Sequence, residues 1–286
     1  MARLAPTLAL VVALLCATGG CATQTRSATD VQAADTVRVL VYNIHAGKDA
    51  AGVDNLHGVA ALIRETRADV ILLQEVDQGT RRSGVVDQPA VLASRTGFHV
   101  AFGSALDYDG GKYGVATLSR WPIAFDTLHR LPVDPPQERA GGSREPRGLL
   151  RSDITSPYGT MVVFNTHIDA SREDTWRQQE ARVIVSTVAA TRRFQALVLL
   201  GGDLNSTPES AVQAIIREPG LRDAFAECGR GTGLTYPADS AVKRIDYLYL
   251  TGAMRCARAD VLATRVSDHR PVVVQVLMPR PSRSEP

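Results

Sequence analysis

A chain of 286 residues with 44% hydrophobic and 22% charged content is ordinary globular material, long enough to bury a large core. A formal charge of +2 is close to balance, and aromatic residues make up only 5%, which argues against a protein that grips polyanions by charge and base stacking. No Ser/Gly-rich linker or repeat divides the body of the chain, so one compact domain is expected.

In chain order, the first twenty residues hold a single charge, Arg3, followed by an apolar run from Leu8 to Cys16 and the small residues Ala17 to Gly20. That is the pattern of a signal peptide (1–20), and the run is short for an ordinary transmembrane helix. Cys21 follows a small-residue box resembling that of bacterial lipoproteins, and residues 21–35 read as a polar tether, so membrane attachment through a lipidated Cys21 stands beside ordinary cleavage near Ala22. Loss of the leader takes the basic count from 32 to 31 against 30 acidic residues. Cys228 and Cys256 are the cysteines that remain, in an oxidising compartment where they either pair or stay free.

The body, residues 36–278, opens with alternating TVRVLVYN (36–43) and a continuous apolar run at 69–74, both strands. Leu56, Val59 and Ile63 recur at helical spacing between them, with Asp54 or Asn55 available as N-cap. Further strands are expected at 114–118, 149–153, 161–165, 196–200, 247–250 and 271–277, and helices at 176–191 and, after a Thr207 cap and Pro208, at 209–217. Residues 131–148 are rich in Pro, Gly and charge and read as a long surface loop on the substrate side, and 279–286 as a tail. Strands outnumber helices, which favours layered α and β over strict βαβ alternation.

Several strands end in acid, amide or imidazole residues: Asn43, Glu75, His167, then Asp203 and Asn205, with Asp246 before a strand and Asp268-His269 just ahead of another. Apolar strands feeding polar residues into one rim are how a layered fold builds a site. Hard oxygen ligands such as Glu75 and Asn43 suit Mg²⁺ or Mn²⁺, an Asp can align water, and imidazoles can steady a phosphorane, so the set points to hydrolysis of a phosphate ester. No H-E-x-x-H, P-C-x-x-C or G-x-S-x-G motif is present to support a zinc protease, a deaminase or a serine hydrolase.

Eight blocks in order, VLVYNIHAG, LLQEVD, YGVATLSR, EPRG, NTHID, GGDLNSTP, RIDYLYL and SDHRPV, resemble those of the endonuclease/exonuclease/phosphatase superfamily. The resemblance implies an α/β fold, a four-layer α/β/β/α sandwich with two packed mixed β-sheets. It implies Glu75 as principal metal ligand with Asn43 and Asp268 near the same ion, and Asp203 orienting the attacking water. Asn205 and His269 would meet the phosphate, Asp246 would hold the other nitrogen of His269, and His167 would be a second imidazole on the phosphate or leaving-group side. Arg147 in EPRG would clamp a phosphate oxygen, and Tyr113 would contact substrate.

Each residue has an ordinary explanation when taken singly: Asn43 capping a turn, Asp203 to Asn205 as loop chemistry, Asp246 pairing with Arg244. Eight ordered blocks are hard to obtain from turns. Elsewhere His57 reads as exposed, His99 as a satisfied structural histidine, and Arg81-Arg82 and Arg192-Arg193 as solvated faces, while His45 stands undecided between the site and loop filler. The superfamily's core does not name its substrate. A phosphodiester or phosphomonoester is expected, with an exported DNase-like nuclease, a lipid-headgroup phosphodiesterase and an anchored binding protein on a retired hydrolase fold as alternatives. Nucleic acid is the less favoured substrate, and the sequence does not address the oligomeric state.

Overall fold

Along the first strand, Val37, Val39 and Val41 lie on one face and Leu40 and Tyr42 on the other, and all five are buried. A strand buried on both faces needs cover on both. In a computed structural model, which describes Met1 and residues 36–134, 144–195, 197–218 and 220–279, the cover on the two faces differs in kind. The valines join Val70, Leu72, Met161, Val163, Leu199 and Leu248 in a core between two sheets, whereas Leu40 and Tyr42 pack with Ile71 and Leu73 against helical Val59, Leu62, Ile63 and Leu92. A third cluster, with Val162, Phe164, Val198 and Leu200 facing Ala181, Ile184, Val188 and Ile216, repeats that arrangement on the far side. The result is the expected four-layer α/β/β/α sandwich.

The strands are β1 (Thr36–Asn43), β2 (Val70–Gln78), β3 (His99–Tyr108), β4 (Gly111–Ser119), β5 (Ile123–Arg130), β6 (Gly148–Ser156), β7 (Gly159–His167), β8 (Leu197–Asp203), β9 (Arg222–Asp223), β10 (Asp246–Leu250), β11 (Arg255–Val261) and β12 (Val272–Leu277). The α-helices are α1 (Leu56–Thr66), α2 (Gln88–Thr96), α3 (Thr175–Arg192), α4 (Ala211–Arg217) and α5 (Ala224–Cys228). One sheet runs β11-β12-β1-β2-β4-β3 and the other β5-β6-β7-β8-β10-β9, six strands each. Each is mixed, with one parallel pair at its centre, β1 with β2 and β7 with β8, bridged by the crossover helices α1 and α3.

The predicted strands and helices are present, with Ala196 at the start of one predicted strand outside the described residues. The α4 cap moves: Ser210, not Thr207, accepts the Gln213 N–H, so the Thr207-Pro208 turn stands before the helix. Asn55 is the N-cap residue of α1 but makes no cap bond, and its amide donates instead to Val266 O at 3.4 Å. Strands β3, β5, β9 and β11 and helices α2 and α5 went unpredicted. In β5 most side chains are half-buried or exposed and in β11 only Ala259 is buried, so neither carries a strong apolar signal. His99 is exposed in β3, which corrects its reading as a structural histidine. Arg82 is not a solvated face either, since it makes a bidentate pair with fully buried Asp77 at 2.8 and 2.7 Å and lies over the rings of Tyr108 and Tyr113.

Cys228 at the end of α5 and Cys256 in β11 form a disulfide, Cα–Cα 5.8 Å, which ties the β9–α5 edge of one sheet to the edge strand of the other. The signal peptide beyond Met1, the tether with Cys21 and most of the tail lie outside the described residues. So does the middle of the predicted 131–148 loop, but its end is not surface material: Glu145 and Arg147 are buried. Among the described residues, no helix is long and apolar enough to cross a membrane.

Candidate active site

The two parallel pairs end side by side. In register, Asn43 of β1 pairs with Gln74 of β2, and His167 of β7 pairs with Asp203 of β8, which pairs in turn with Asp246 at the start of β10. Glu75 sits in a bulge where β2 slips register against β4, with φ +54, while Asn205 has φ +42 and His45 and Ala46, just past Asn43, have φ +49 and +54. Non-glycine residues held in the left-handed region cost about 1–3 kcal/mol each and concentrate at functional sites.

Asp203 is the hub. Its carboxylate, almost fully buried, accepts the Asn205 N–H at 2.9 Å and the Asn43 amide at 3.1 Å, and it lies 3.5 Å from His167 Nε2 and 3.7 Å from His269 Nε2. Burial, and after it the nearby charge of Asp246, push Asp203 up to about 7. The Asn43 amide also donates to Glu75 Oε1 at 3.0 Å, while its Oδ1 accepts the His45 N–H at 3.0 Å. Asn43 thus clamps two carboxylates together, with its oxygen already in use. His45 belongs to the site's edge, its Nδ1 3.8 Å from Asp268 Oδ1.

The two histidines are held in opposite ways. His269 Nδ1 donates to Asp246 Oδ2 at 3.0 Å. Burial opposes its charged form, but Asp246 and Asp203 overcome that and raise it to about 10, so His269 is an imidazolium. His167 Nδ1 instead meets Arg147 Nη1 at 2.7 Å. Burial, then the charges of Arg147 and His269, hold His167 well below the usual imidazole range, so it is neutral. A guanidinium can only donate, so Nδ1 supplies the lone pair and the ring proton resides on Nε2, on the side of Asp203. The Asn205 Nδ2, 3.0 Å from Nε2, donates to Ile168 O at 3.0 Å, which leaves Asp203 Oδ2, 3.5 Å away, as the acceptor for that N–H.

A cavity of about 300 Å³ opens over this floor, lined by Glu75, Arg147, His167, Asp203, Asn205, Asp268 and His269 together with Tyr236 and Lys243. Arg147 forms part of the wall, yet its guanidinium is held by His167 and by Glu145 at 3.0 Å, both buried, so it supports an imidazole where a phosphate clamp was expected. Tyr113 is also buried, beneath Arg147 and beside Arg82, and does not line the main cavity, which corrects its reading as a substrate contact. Arg244 pairs with Asp223 at 2.7 Å, leaving Asp246 to His269.

Asp203, Asp246 and His269 form a buried acid and imidazole cluster whose ligand-type atoms all lie within 4.8 Å. As a cation site this trio fits poorly, because a protonated imidazole has no lone pair to give and Nδ1 is taken by Asp246. The hard oxygens of Glu75 and Asp268, which open directly into the cavity, suit a divalent cation better.

Sequence reasoning missed Asn165, whose fully buried amide crosses between the sheets, accepting from Gln74 Nε2 at 2.7 Å and donating to Leu73 O and Ala116 O at 3.0 and 2.8 Å. It also missed Glu145, Tyr236 and Lys243. Asn165 stands two residues before His167 on the same strand face, and a polar residue there in an otherwise apolar run was the available signal.

Two packed mixed sheets with this rim of acids and imidazoles make a hydrolase fold, and the chain belongs to the Endonuclease/Exonuclease/phosphatase family, whose profile matches residues 40–269. Members of this family are usually hydrolases of phosphoesters. The chain is similar to the uncharacterized protein YbhP of Escherichia coli K12, 25% identical over 250 residues that cover 84% of this chain and 95% of that one. Among solved structures it resembles an endonuclease/exonuclease/phosphatase from Beutenbergia cavernae (25% identity, TM-score 0.72, 85% of this chain and 72% of that one). The mannosyl-6-phosphatase Bt3783 of Bacteroides thetaiotaomicron shares the fold at 19% identity (TM-score 0.71, 85% and 100%).

Proposed function

We propose that this chain is an exported, divalent-metal-dependent phosphoesterase that hydrolyses a phosphodiester or phosphomonoester by in-line attack of water. The observation that carries the reading is the meeting of one buried carboxylate, Asp203, with two imidazoles, one backed by Arg147 and the other by Asp246, and two side-chain amides at the floor of an open cavity. Mg²⁺, or Mn²⁺, held by Glu75 and Asp268 with Asn43 behind them, would supply positive charge to the phosphoryl oxygens. The remaining work falls to the chain. Asp203, raised toward neutral pH, takes the proton of the attacking water as the new P–O bond forms and the ester P–O bond breaks. The Nε2–H groups of His269 and His167 and the amide of Asn205 donate to the oxygens on which charge develops, and Asp246 keeps His269 charged and oriented.

The test is hydrolysis of bis-p-nitrophenyl phosphate, p-nitrophenyl phosphate, plasmid DNA, an inositol phosphate and sphingomyelin by the purified mature domain with Mg²⁺, Mn²⁺ or EDTA. Activity abolished by EDTA on at least one member is expected, with about 10²–10⁴-fold loss in folded Asp203→Ala and His269→Ala variants. Undiminished hydrolysis in both variants would sink the assignment. Export and anchoring have their own readout: mass spectrometry of the mature protein is expected to find its first residue at Cys21 carrying acyl chains, and Cys21→Ser to release it from membranes.

A further inference from the structure

Two Lys or Arg side chains line the cavity among the described residues, Arg147 and Lys243. Arg147 is buried and spent on Glu145 and His167. Lys243 is exposed at the mouth, and among the described residues its ammonium makes no hydrogen bond or ion pair. It faces a cavity whose other charged walls include Glu75, Asp203 and Asp268.

The segment that carries Lys243 is fixed in place. Tyr236 and Lys243 form an isolated antiparallel bridge, with Tyr236 N–H donating to Lys243 O at 3.0 Å and Lys243 N–H to Tyr236 O at 2.9 Å. Residues directly opposite in such a pair project to the same face, and here both side chains reach the cavity wall. The segment is also bonded to the loop ahead of β12 that carries Asp268 and His269, Ala238 N–H to Asp268 O and Arg270 N–H to Thr235 O, both at 2.7 Å. The half-buried Tyr236 ring leans on His269, centroids 4.7 Å apart, and so connects the floor to the mouth.

We infer that Tyr236 and Lys243 form a second subsite, which binds an anionic group, phosphate or carboxylate, carried by the substrate a few bonds away from the reacting phosphorus. The inference rests on the phosphoester reading above and specifies its substrate class. Position separates the two anion sites: Asp203, His167 and His269 are almost fully buried, whereas Lys243 stands at the exposed rim with the tyrosine ring between. About 300 Å³ is roughly ten times the volume of one water, which leaves room for a short carbon or sugar skeleton linking the two groups. A cation at the rim of an acidic pocket also offsets the repulsion a second anion would meet from the wall.

The test uses probes with P–C bonds that water does not cleave: propylphosphonate, propane-1,3-bisphosphonate and 4-phosphonobutyrate, titrated calorimetrically into the full mature protein at fixed free Mg²⁺. The two difunctional probes are expected to bind about three- to tenfold tighter than propylphosphonate, the range of an exposed charge-assisted contact. That ratio should fall to about one in Lys243→Ala and return in Lys243→Arg, with unchanged melting temperatures showing that both variants fold. Equal binding of all three probes by the wild type, or a ratio that survives Lys243→Ala, overturns the inference and leaves the phosphoesterase reading standing. Binding of none of them by the Mg²⁺-loaded wild type, together with no EDTA-sensitive hydrolysis, overturns both.

Discussion

A guanidinium behind one imidazole and a carboxylate behind the other give His167 and His269 different jobs. For His167 the structure expects a neutral ring with its proton on Nε2, which ¹⁵N–¹H correlation spectra of labelled protein read directly. In Arg147→Met paired with Glu145→Gln, chosen so that no buried charge is orphaned, the tautomer is expected to become mixed and kcat to fall about 10²-fold with a smaller change in KM. A wild-type ring protonated on Nδ1 would remove Arg147 from its positioning role. A second buried acid titrates without touching the cavity wall. Glu180 in α3 is fully buried, accepts the Asp169 N–H at 2.8 Å, and is raised by burial from 4.5 to about 8. The unfolded chain releases this proton near 4.5 and the folded chain only near 8, so between those values folding retains a proton that unfolding sheds. Stability should therefore be greatest below that window, decline through it as pH rises, and level off above it. Glu180→Gln, which keeps the acceptor for Asp169, is expected to flatten this decline by a few kcal/mol in urea melts at pH 5 and pH 8.

Strand ends and the short segments joined to them place the chemistry, and a strand's position depends on what lies against its backbone. Gly202, next to Asp203, has φ +144, and a Cβ there would come within 1.9 Å of Thr166 O in the neighbouring strand. Gly202→Ala is expected to cost more than about 2 kcal/mol, seen as a lower denaturation midpoint, and to pull Asp203 away from His167 with loss of activity even where the protein folds. Asn165 performs the corresponding service between sheets, so Asn165→Leu should leave the strand intact while unpairing Gln74 and the Leu73 and Ala116 carbonyls, at a cost of several kcal/mol. An unchanged melting temperature in that variant would show the tie to be dispensable. The same elements explain what could be read beforehand. Strands β1, β2, β7 and β8 are buried on both faces over most of their length and appear in sequence as apolar runs, alternating at the start of β1, that lead into polar residues, so both they and the residues at their ends were legible. Strands β5 and β11 lie at sheet edges, largely wet, and gave no such signal. The roles of Arg147 and Tyr113 were misjudged because a motif marks a residue as near the site without saying whether its polar end faces the cavity or the wall behind it. Lys243, an exposed lysine in a polar segment, is indistinguishable from a solvated one until the bridge to Tyr236 is seen.

At the scale of the molecule, the cavity lies on the seam between the sheets, with Asn43, Glu75, Asp268 and His269 contributed from one side and His167, Asp203 and Asp246 from the other. Activity and sheet docking should consequently be lost together on heating, and the Cys228–Cys256 bridge, joining the outer edges, should shift both. Closing a loop of 28 residues is worth about 3–4 kcal/mol on chain-entropy grounds, so the double Cys→Ala variant is expected to melt several degrees lower with its kcat unchanged at 25 °C. A melting temperature indifferent to reductant would mean that the bridge carries no load. The strand orders β11-β12-β1-β2-β4-β3 and β5-β6-β7-β8-β10-β9 have a further consequence, because the same pattern is written twice, parallel pair at the centre and antiparallel flanks, and each half of the chain lends strands to the other half's sheet. A cut in the segment between Asp134 and Arg144 would leave a front piece that ends in β5, a strand of the second sheet, and a back piece that ends in β11 and β12, strands of the first. Neither fragment can complete a sheet by itself, and each carries the missing edge of its counterpart. Two inert polypeptides interlocking like the halves of a clasp would restore hydrolysis only when both are present, which makes this fold a natural candidate for a split enzyme.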